Sequence, residues 1–144
     1  MRISGCIITK DEENNITRCI NSLKPVVSEI IVVDTGSSDN TVDIAKKLGA
    51  KVYHFEWVND FSKAKNYAIS KATGNWIIFL DADEYLEEES AFHVDKCINQ
   101  AIKYQADGIY ISLVNYDTQR NQIQSSVSKT QIFKNDRNIR YFGA

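Results

Sequence analysis

Gly74-Asn75-Trp76-Ile77-Ile78-Phe79-Leu80-Asp81-Ala82-Asp83 decides the fold. Its five consecutive apolar side chains read as a strand buried on both faces, as in parallel sheets. Gly74 punctuates the approach and Asp81 closes the run. Upstream, Asp60 can cap a helix whose inner face is Phe61, Ala64, Ala68, Ile69 and Ala72. Val52 to Phe55 reads as a short strand before it. Asn40 can cap a further helix, with Asp43 facing the first exposed amides, Ile44, Ala45 and Leu48 inside, and Gly49 as its stop.

Nearer the N-terminus, Ile30-Ile31-Val32-Val33 is β-branched throughout and ends at Asp34, a second buried strand. Ile16, Cys19, Ile20 and Leu23 follow the i, i+3, i+4, i+7 spacing of one helix face, with Pro25 after it. Ile3 to Thr9 reads as the opening strand. Four strands separated by three helical crossovers predict an α/β fold: a Rossmann-like three-layer α/β/α arrangement around a mostly parallel sheet.

Beyond about residue 90 the pattern weakens. Phe92, Cys97, Ile98 and Ile102 suggest a helix, and Gly108 to Val114 a strand. Thr130 to Phe133 and Ile139 to Phe142 read as two further short strands, antiparallel additions towards the C-terminus. No repeat or linker interrupts residues 1–144, which are expected to form one domain, with 1–86 as its first part and 87–144 as the start of a second. The sequence stops at Tyr141-Phe142-Gly143-Ala144 without a polar fade, which predicts that the domain continues further.

Composition narrows the function classes. The 144 residues are 43% hydrophobic and 25% charged, ordinary for a globular domain, and suffice to bury roughly 70% of the unfolded surface. Seventeen basic and nineteen acidic side chains are interspersed, for a net charge of −2, so no basic face for nucleic acid is expected. Cys6, Cys19 and Cys97 are an odd, unpaired set, expected as reduced thiols in a cytoplasmic protein. No signal-like start and no transmembrane segment is expected; peripheral association with the inner face of a membrane, and a homo-oligomer, are both compatible with the composition.

Two strand ends carry the chemistry. In Asp81-Ala82-Asp83, carboxylates at i and i+2 just past a buried strand can reach into one crevice, with Glu84 nearby. Mg²⁺ or Mn²⁺ takes such hard oxygen ligands together with substrate phosphates, and would neutralise charge on a leaving nucleoside diphosphate. Asp34, ending the second strand, can accept from a nucleobase N–H or a ribose hydroxyl, and Gly36 permits close approach by a ligand. Asp39, Asn40 and Thr41 read as capping residues. Lys65 and Asn66 can hold phosphate or sugar oxygens, and Thr9, Lys10, Glu12 and Asn14 form a polar end that can flank a nucleotide. His54, His93, Trp57 and Trp76 are read as packing or isolated residues.

Cys6-Ile7-Ile8-Thr9-Lys10-Asp11-Glu12, Ile31-Val32-Val33-Asp34-Thr35-Gly36-Ser37-Ser38-Asp39-Asn40-Thr41, Phe61-Ser62-Lys63-Ala64-Lys65-Asn66 and the Gly74 to Glu84 stretch occur in an order that resembles family 2 glycosyltransferases. The likeness is strong over residues 3 to 86 and looser over 108 to 144. It is similar to a bacterial branch that includes lipopolysaccharide-core transferases and peptide S-glycosyltransferases. The resemblance implies a GT-A fold and an inverting enzyme that takes a nucleotide sugar, often a UDP-sugar, with a divalent metal. It places Thr9 and Asp34 at the nucleoside, and Asp81-Ala82-Asp83 at metal and diphosphate with Lys65 and Asn66 close by. Lys65 stands where many relatives carry arginine, exchanging a bidentate fork for a point charge. The general base is implied to lie beyond the chain, and the acceptor (a glycan, a lipid-linked sugar or a peptide) is unspecified. A noncatalytic nucleotide-sugar-binding or interaction module would share these features. A phosphatase-type Asp-x-Asp site is disfavoured by Glu84-Tyr85 following the motif, and a nucleotidylyltransferase by the missing Gly-rich, Arg-containing loop.

Overall fold

The computed structural model describes residues 1–143. In chain order the elements are β1 (Ile3–Thr9), α1 (Ile16–Leu23), β2 (Glu29–Asp34), α2 (Thr41–Lys47), β3 (Lys51–His54), α3 (Phe61–Lys71), β4 (Trp76–Asp81), α4 (Glu88–Ala91), α5 (Val94–Lys103), β5 (Gly108–Asp117) and β6 (Gln122–Lys134). The strands form one sheet in the order β3-β2-β1-β4-β6-β5. The first four are parallel, whereas β6 runs antiparallel to both β4 and β5.

Strand alternation sorts the core into two layers. Ile7, Val32, Ile78 and Leu80 join Ile16, Ile20 and Leu23 of α1, Ala45 of α2 and Val94 and Ile98 of α5 on one face. Cys6, Ile31, Val33, Ile77 and Phe79 meet Ala64, Ala68 and Ile69 of α3 on the other. Small residues on α3 let its backbone lie close to the strands. The three-layer α/β/α expectation therefore holds.

Several local expectations are corrected. Asn40 makes no side-chain cap bond to α2; instead Asp39 Oδ1 accepts from the Thr41 N–H at 3.0 Å. Asp60 caps α3 as expected, accepting from the N–H groups of Ser62 and Lys63. Phe61, placed on the inner face, is exposed and rests on Trp57 with ring centroids 4.8 Å apart. Ala72 follows α3 rather than belonging to it, and Phe92 precedes α5 with its ring in solvent.

The C-terminal third differs most. Thr130 to Phe133 is only the inner end of a 13-residue β6, whose polar, exposed start is a strand because it pairs with β5. Ile139 to Phe142 is not a strand. It pairs with none of the six strands of the sheet. Asn66 of α3 supplies the substitute: its Nδ2 donates to Tyr141 O and its Oδ1 accepts from Tyr141 N–H, both at 2.9 Å. Ile139 and Tyr141 consequently pack on the α3 layer.

Candidate functional site

Because β2 and β3 lie on one side of β1 and β4 on the other, strand order reverses between β1 and β4. Crevices beyond the carboxyl ends of strands at such a point are where open α/β sheets bind ligands. Thr9, Asp34 and Asp81 end the three central strands there. Thr9 is in register with Asp34 and Ile8 with Asp81, so the two aspartate backbones flank β1 about 10 Å apart.

On the β2 side, Asp34 is buried and folds its own loop. Its Oδ2 accepts from the N–H groups of Gly36 at 3.1 Å and Ser37 at 3.0 Å, and its Oδ1 from the Ser37 hydroxyl. His54 Nδ1 lies 3.7 Å from Oδ2. Gly36 has φ +121°, a conformation side chains resist, and space where a Cβ would stand is open. The loop after β1 is joined to this one: Ser38 N–H donates to Asp11 Oδ1 at 2.7 Å, and Asn40 N–H to Glu13 Oε2 at 3.1 Å. Asp11 and Glu13 are thus structural partners of the site that spacing alone did not single out. Glu12 donates its N–H to the Thr41 hydroxyl and accepts from Asn15 Nδ2, while Lys10 is exposed at the rim. Thr9 Oγ1 is buried and has no hydrogen-bond partner among the described residues.

On the β4 side, Ala82 is buried in the core while Asp83 is exposed and Asp81 half-exposed. Seating the middle residue leaves both flanking carboxylates outside. Asp81 Oδ1 lies 3.7 Å from Lys65 Nζ, which sits over the rings of Tyr141 and Phe79 at 4.8 and 5.4 Å. Beneath the turn, the Cys19 thiol donates to Asp81 O at 3.6 Å. Burial, reinforced by Glu84, Asp81 and Asp83, pushes that thiol far above its ordinary range, so it stays protonated. Burial also raises the Tyr141 hydroxyl, with Asp81, Cys6 and Glu84 adding to the effect.

Lys65, Asp81, Glu84, Lys129, Gln131 and Tyr141 line a cavity of about 260 Å³ beside the turn. The structure therefore brings Lys65 to Asp81 as expected but directs Asn66 to Tyr141. Lys129, Gln131 and Tyr141 were not singled out beforehand. A glutamine within the short strand read at Thr130 to Phe133 was the one available signal.

The donor set suits a hard cation: two carboxylates on one turn. Among the described residues no group of three His, Cys, Asp or Glu side chains could hold a metal by itself. A cation on Asp81 and Asp83 would thus take its remaining oxygens from a ligand and water, the usual situation for Mg²⁺ beside phosphates.

Residues 4–142 match the family described as Glycosyl transferase family 2. The chain belongs to that family. It is 39% identical to a TPR repeat-containing protein of Synechococcus elongatus over 97% of its own length and 33% of the relative's. It is 48% identical to an uncharacterized glycosyltransferase of Rickettsia typhi over 61% of this chain and 30% of that one. The chain spans about a third of the length of these curated relatives. Among solved structures, S. aureus TarS in complex with UDP superposes with TM-score 0.62 and 28% identity, covering 71% of this chain and 33% of that one. Glucosyl-3-phosphoglycerate synthase from Mycobacterium tuberculosis, in complex with Mn²⁺, UDP-glucose and phosphoglyceric acid, superposes with TM-score 0.52 and 26% identity, covering 58% and 35%. The fold is the GT-A form of the Rossmann-like α/β architecture. No helix among the described residues is long and apolar enough to cross a membrane.

Proposed function

We propose that this chain is the nucleotide-sugar-binding portion of an inverting glycosyltransferase that uses a UDP-sugar and Mg²⁺ or Mn²⁺. The observation that carries this is the Asp81-Ala82-Asp83 turn at the switch point, with Ala82 anchored and both carboxylates outside. UDP in TarS, and Mn²⁺ with UDP-glucose in the mycobacterial synthase, support the choice of donor and cation. In this assignment residues 1–86 hold the donor and 87–144 begin the acceptor side.

Thr9, Lys10, Glu12, Asp34 and Gly36 form the nucleoside end. A ligand polar atom reaching Thr9 would satisfy its orphaned hydroxyl, and Gly36 leaves room for a ribose or base against the loop. Asp81, Ala82, Asp83 and Lys65 form the diphosphate end. Asp83 and Asp81 would hold the metal, which supplies positive charge against the diphosphate as the sugar departs. Lys65 adds a cation beside Asp81 and is steered by the two rings beneath it. Asn66 serves this end indirectly, by seating Tyr141 next to Lys65.

Calorimetric titration with UDP, with and without Mn²⁺, tests the assignment beside Asp83→Ala and a GDP comparison. Metal-enhanced UDP binding is expected, weakened about 100-fold or more in Asp83→Ala, the consequence of removing one of two protein ligands. A folded chain that binds neither nucleotide with any divalent ion would overturn it. Binding without donor hydrolysis in a chain extended to the relatives' length would favour the noncatalytic reading.

A further inference from the structure

Glu84 and Gln131 make contacts that neither the nucleoside end nor the diphosphate end explains. Along β6, Ile132 faces Ile109 of β5 but Thr130 faces Tyr110, so Gln131 is an extra residue in the ladder. Pairing with β4 also ends at Ile132, opposite Ile78. Bulges of this kind re-aim a side chain, and they are frequent beside active sites. Here the freed Gln131 side chain turns to β4: its Nε2 donates to Phe79 O at 3.2 Å and to Glu84 Oε1 at 3.0 Å. Both partners are acceptors, which settles the orientation of the amide.

Glu84 in turn closes the metal-binding turn on itself. Its Oε1 also accepts the Asp81 N–H at 2.8 Å, and its own N–H donates to Asp81 O at 2.9 Å. Its Oε2 faces Lys129 Nζ at 3.5 Å. The Glu84 side chain is only 8% exposed, so both oxygens are turned inward to these donors. Asp81 and Asp83 remain the carboxylates presented outward.

We infer that Glu84 and Gln131 are positioning residues for the metal and diphosphate, the bulge of β6 holding Glu84 and Glu84 holding the Asp81 backbone. This rests on the donor-site assignment above. The hairpin of β5 and β6, remote from the nucleoside end, thereby sets the spacing of the Asp81 and Asp83 oxygens. Metal-dependent binding should feel the loss of either residue, whereas contacts to the nucleoside should not.

The test is UDP calorimetry with and without Mn²⁺ on the wild type, E84A, E84Q and Q131A, with thermal melting of each. E84A leaves the Asp81 N–H without its acceptor, whereas Q131A removes the donor that holds the Glu84 carboxylate in place. E84A and Q131A should therefore lose about tenfold or more in the Mn²⁺-dependent affinity while metal-free UDP binding stays within about twofold. E84Q keeps an oxygen that can accept from both Asp81 and Gln131, and should recover to within about threefold of wild type. If E84Q is as weak as E84A, the charge itself matters and Glu84 is a ligand rather than a positioning group. Wild-type affinity in E84A and Q131A, or equal losses with and without metal, would also overturn the inference. Q131A leaves the Asp81 N–H paired and decides the matter if E84A fails to fold. A wild type without metal-dependent binding would instead sink the donor-site assignment on which all this depends.

Discussion

At the amino ends of the strands Glu29 is surrounded; at the carboxyl ends Asp81 and Asp83 are left open. Glu29 Oε1 accepts from the Ser4 hydroxyl at 2.7 Å and from the Thr73 N–H and hydroxyl at 2.7 and 2.8 Å, and Oε2 pairs with Lys51 at 2.8 Å. That single carboxylate ties together the starts of β1, β2 and β3 and the connection into β4. Burial alone would raise its pKa, but these hydrogen bonds outweigh it and hold the group at about 2. At the other end Asp83 is exposed and Thr9 Oγ1 has no partner among the described residues. A saturated carboxylate has no capacity left for a ligand, so it stabilises the fold; an open pair contributes little to the fold and keeps its lone pairs for something else.

The sharpest way to break this comparison is Glu29→Ala. It strands the hydroxyls and N–H of Ser4 and Thr73, and should cost about 2–4 kcal/mol by chemical denaturation without altering UDP affinity. Acid should reproduce part of that loss. The folded pKa is depressed, so the stabilisation is complete above the ordinary value of 4.5 and disappears as pH falls from there through about 2. Wild type should lose roughly 2–3 kcal/mol more than Glu29→Ala across that window; parallel pH curves for the two proteins would show that the cluster adds nothing.

Gly74→Ala comes next. An added Cβ would stand 2.8 Å from Ser4 N and 2.9 Å from Arg2 O, both backbone atoms, so about 1–3 kcal/mol of destabilisation is expected on melting. The smallest stability effect belongs to Asp83→Ala, the variant predicted to lose metal-dependent UDP binding. Its side chain is exposed, and its denaturation midpoint should correspond to within about 0.5 kcal/mol of wild type. A large loss there would mean that Asp83 is a structural carboxylate after all.

Regions of the molecule differ in how legible they were. The central strands β2 and β4 could be read directly because a strand buried on both faces demands an unbroken apolar run, and Ile30 to Val33 and Trp76 to Leu80 satisfy that demand without help from context. Gln122 to Ser128 carries no such mark: its side chains are exposed, and the pairing with β5 that makes it a strand leaves no apolar pattern in the chain. Ile139 to Phe142 has strand-like composition but pairs with no strand, and the Asn66 amide fixes its course instead.

The site divides along the same line. Asp34 and Asp81 were recognisable because local sequence alone sets a polar residue at the end of a buried run, and chain order brought the family likeness with it. Only the tertiary structure decided that Lys65 reaches Asp81 and that Glu84 is held by Gln131. Those contacts join residues up to 47 positions apart, as Gln131 and Glu84 are. They arise from which strands lie side by side and where a bulge interrupts them, and a residue's neighbours along the chain carry no record of either.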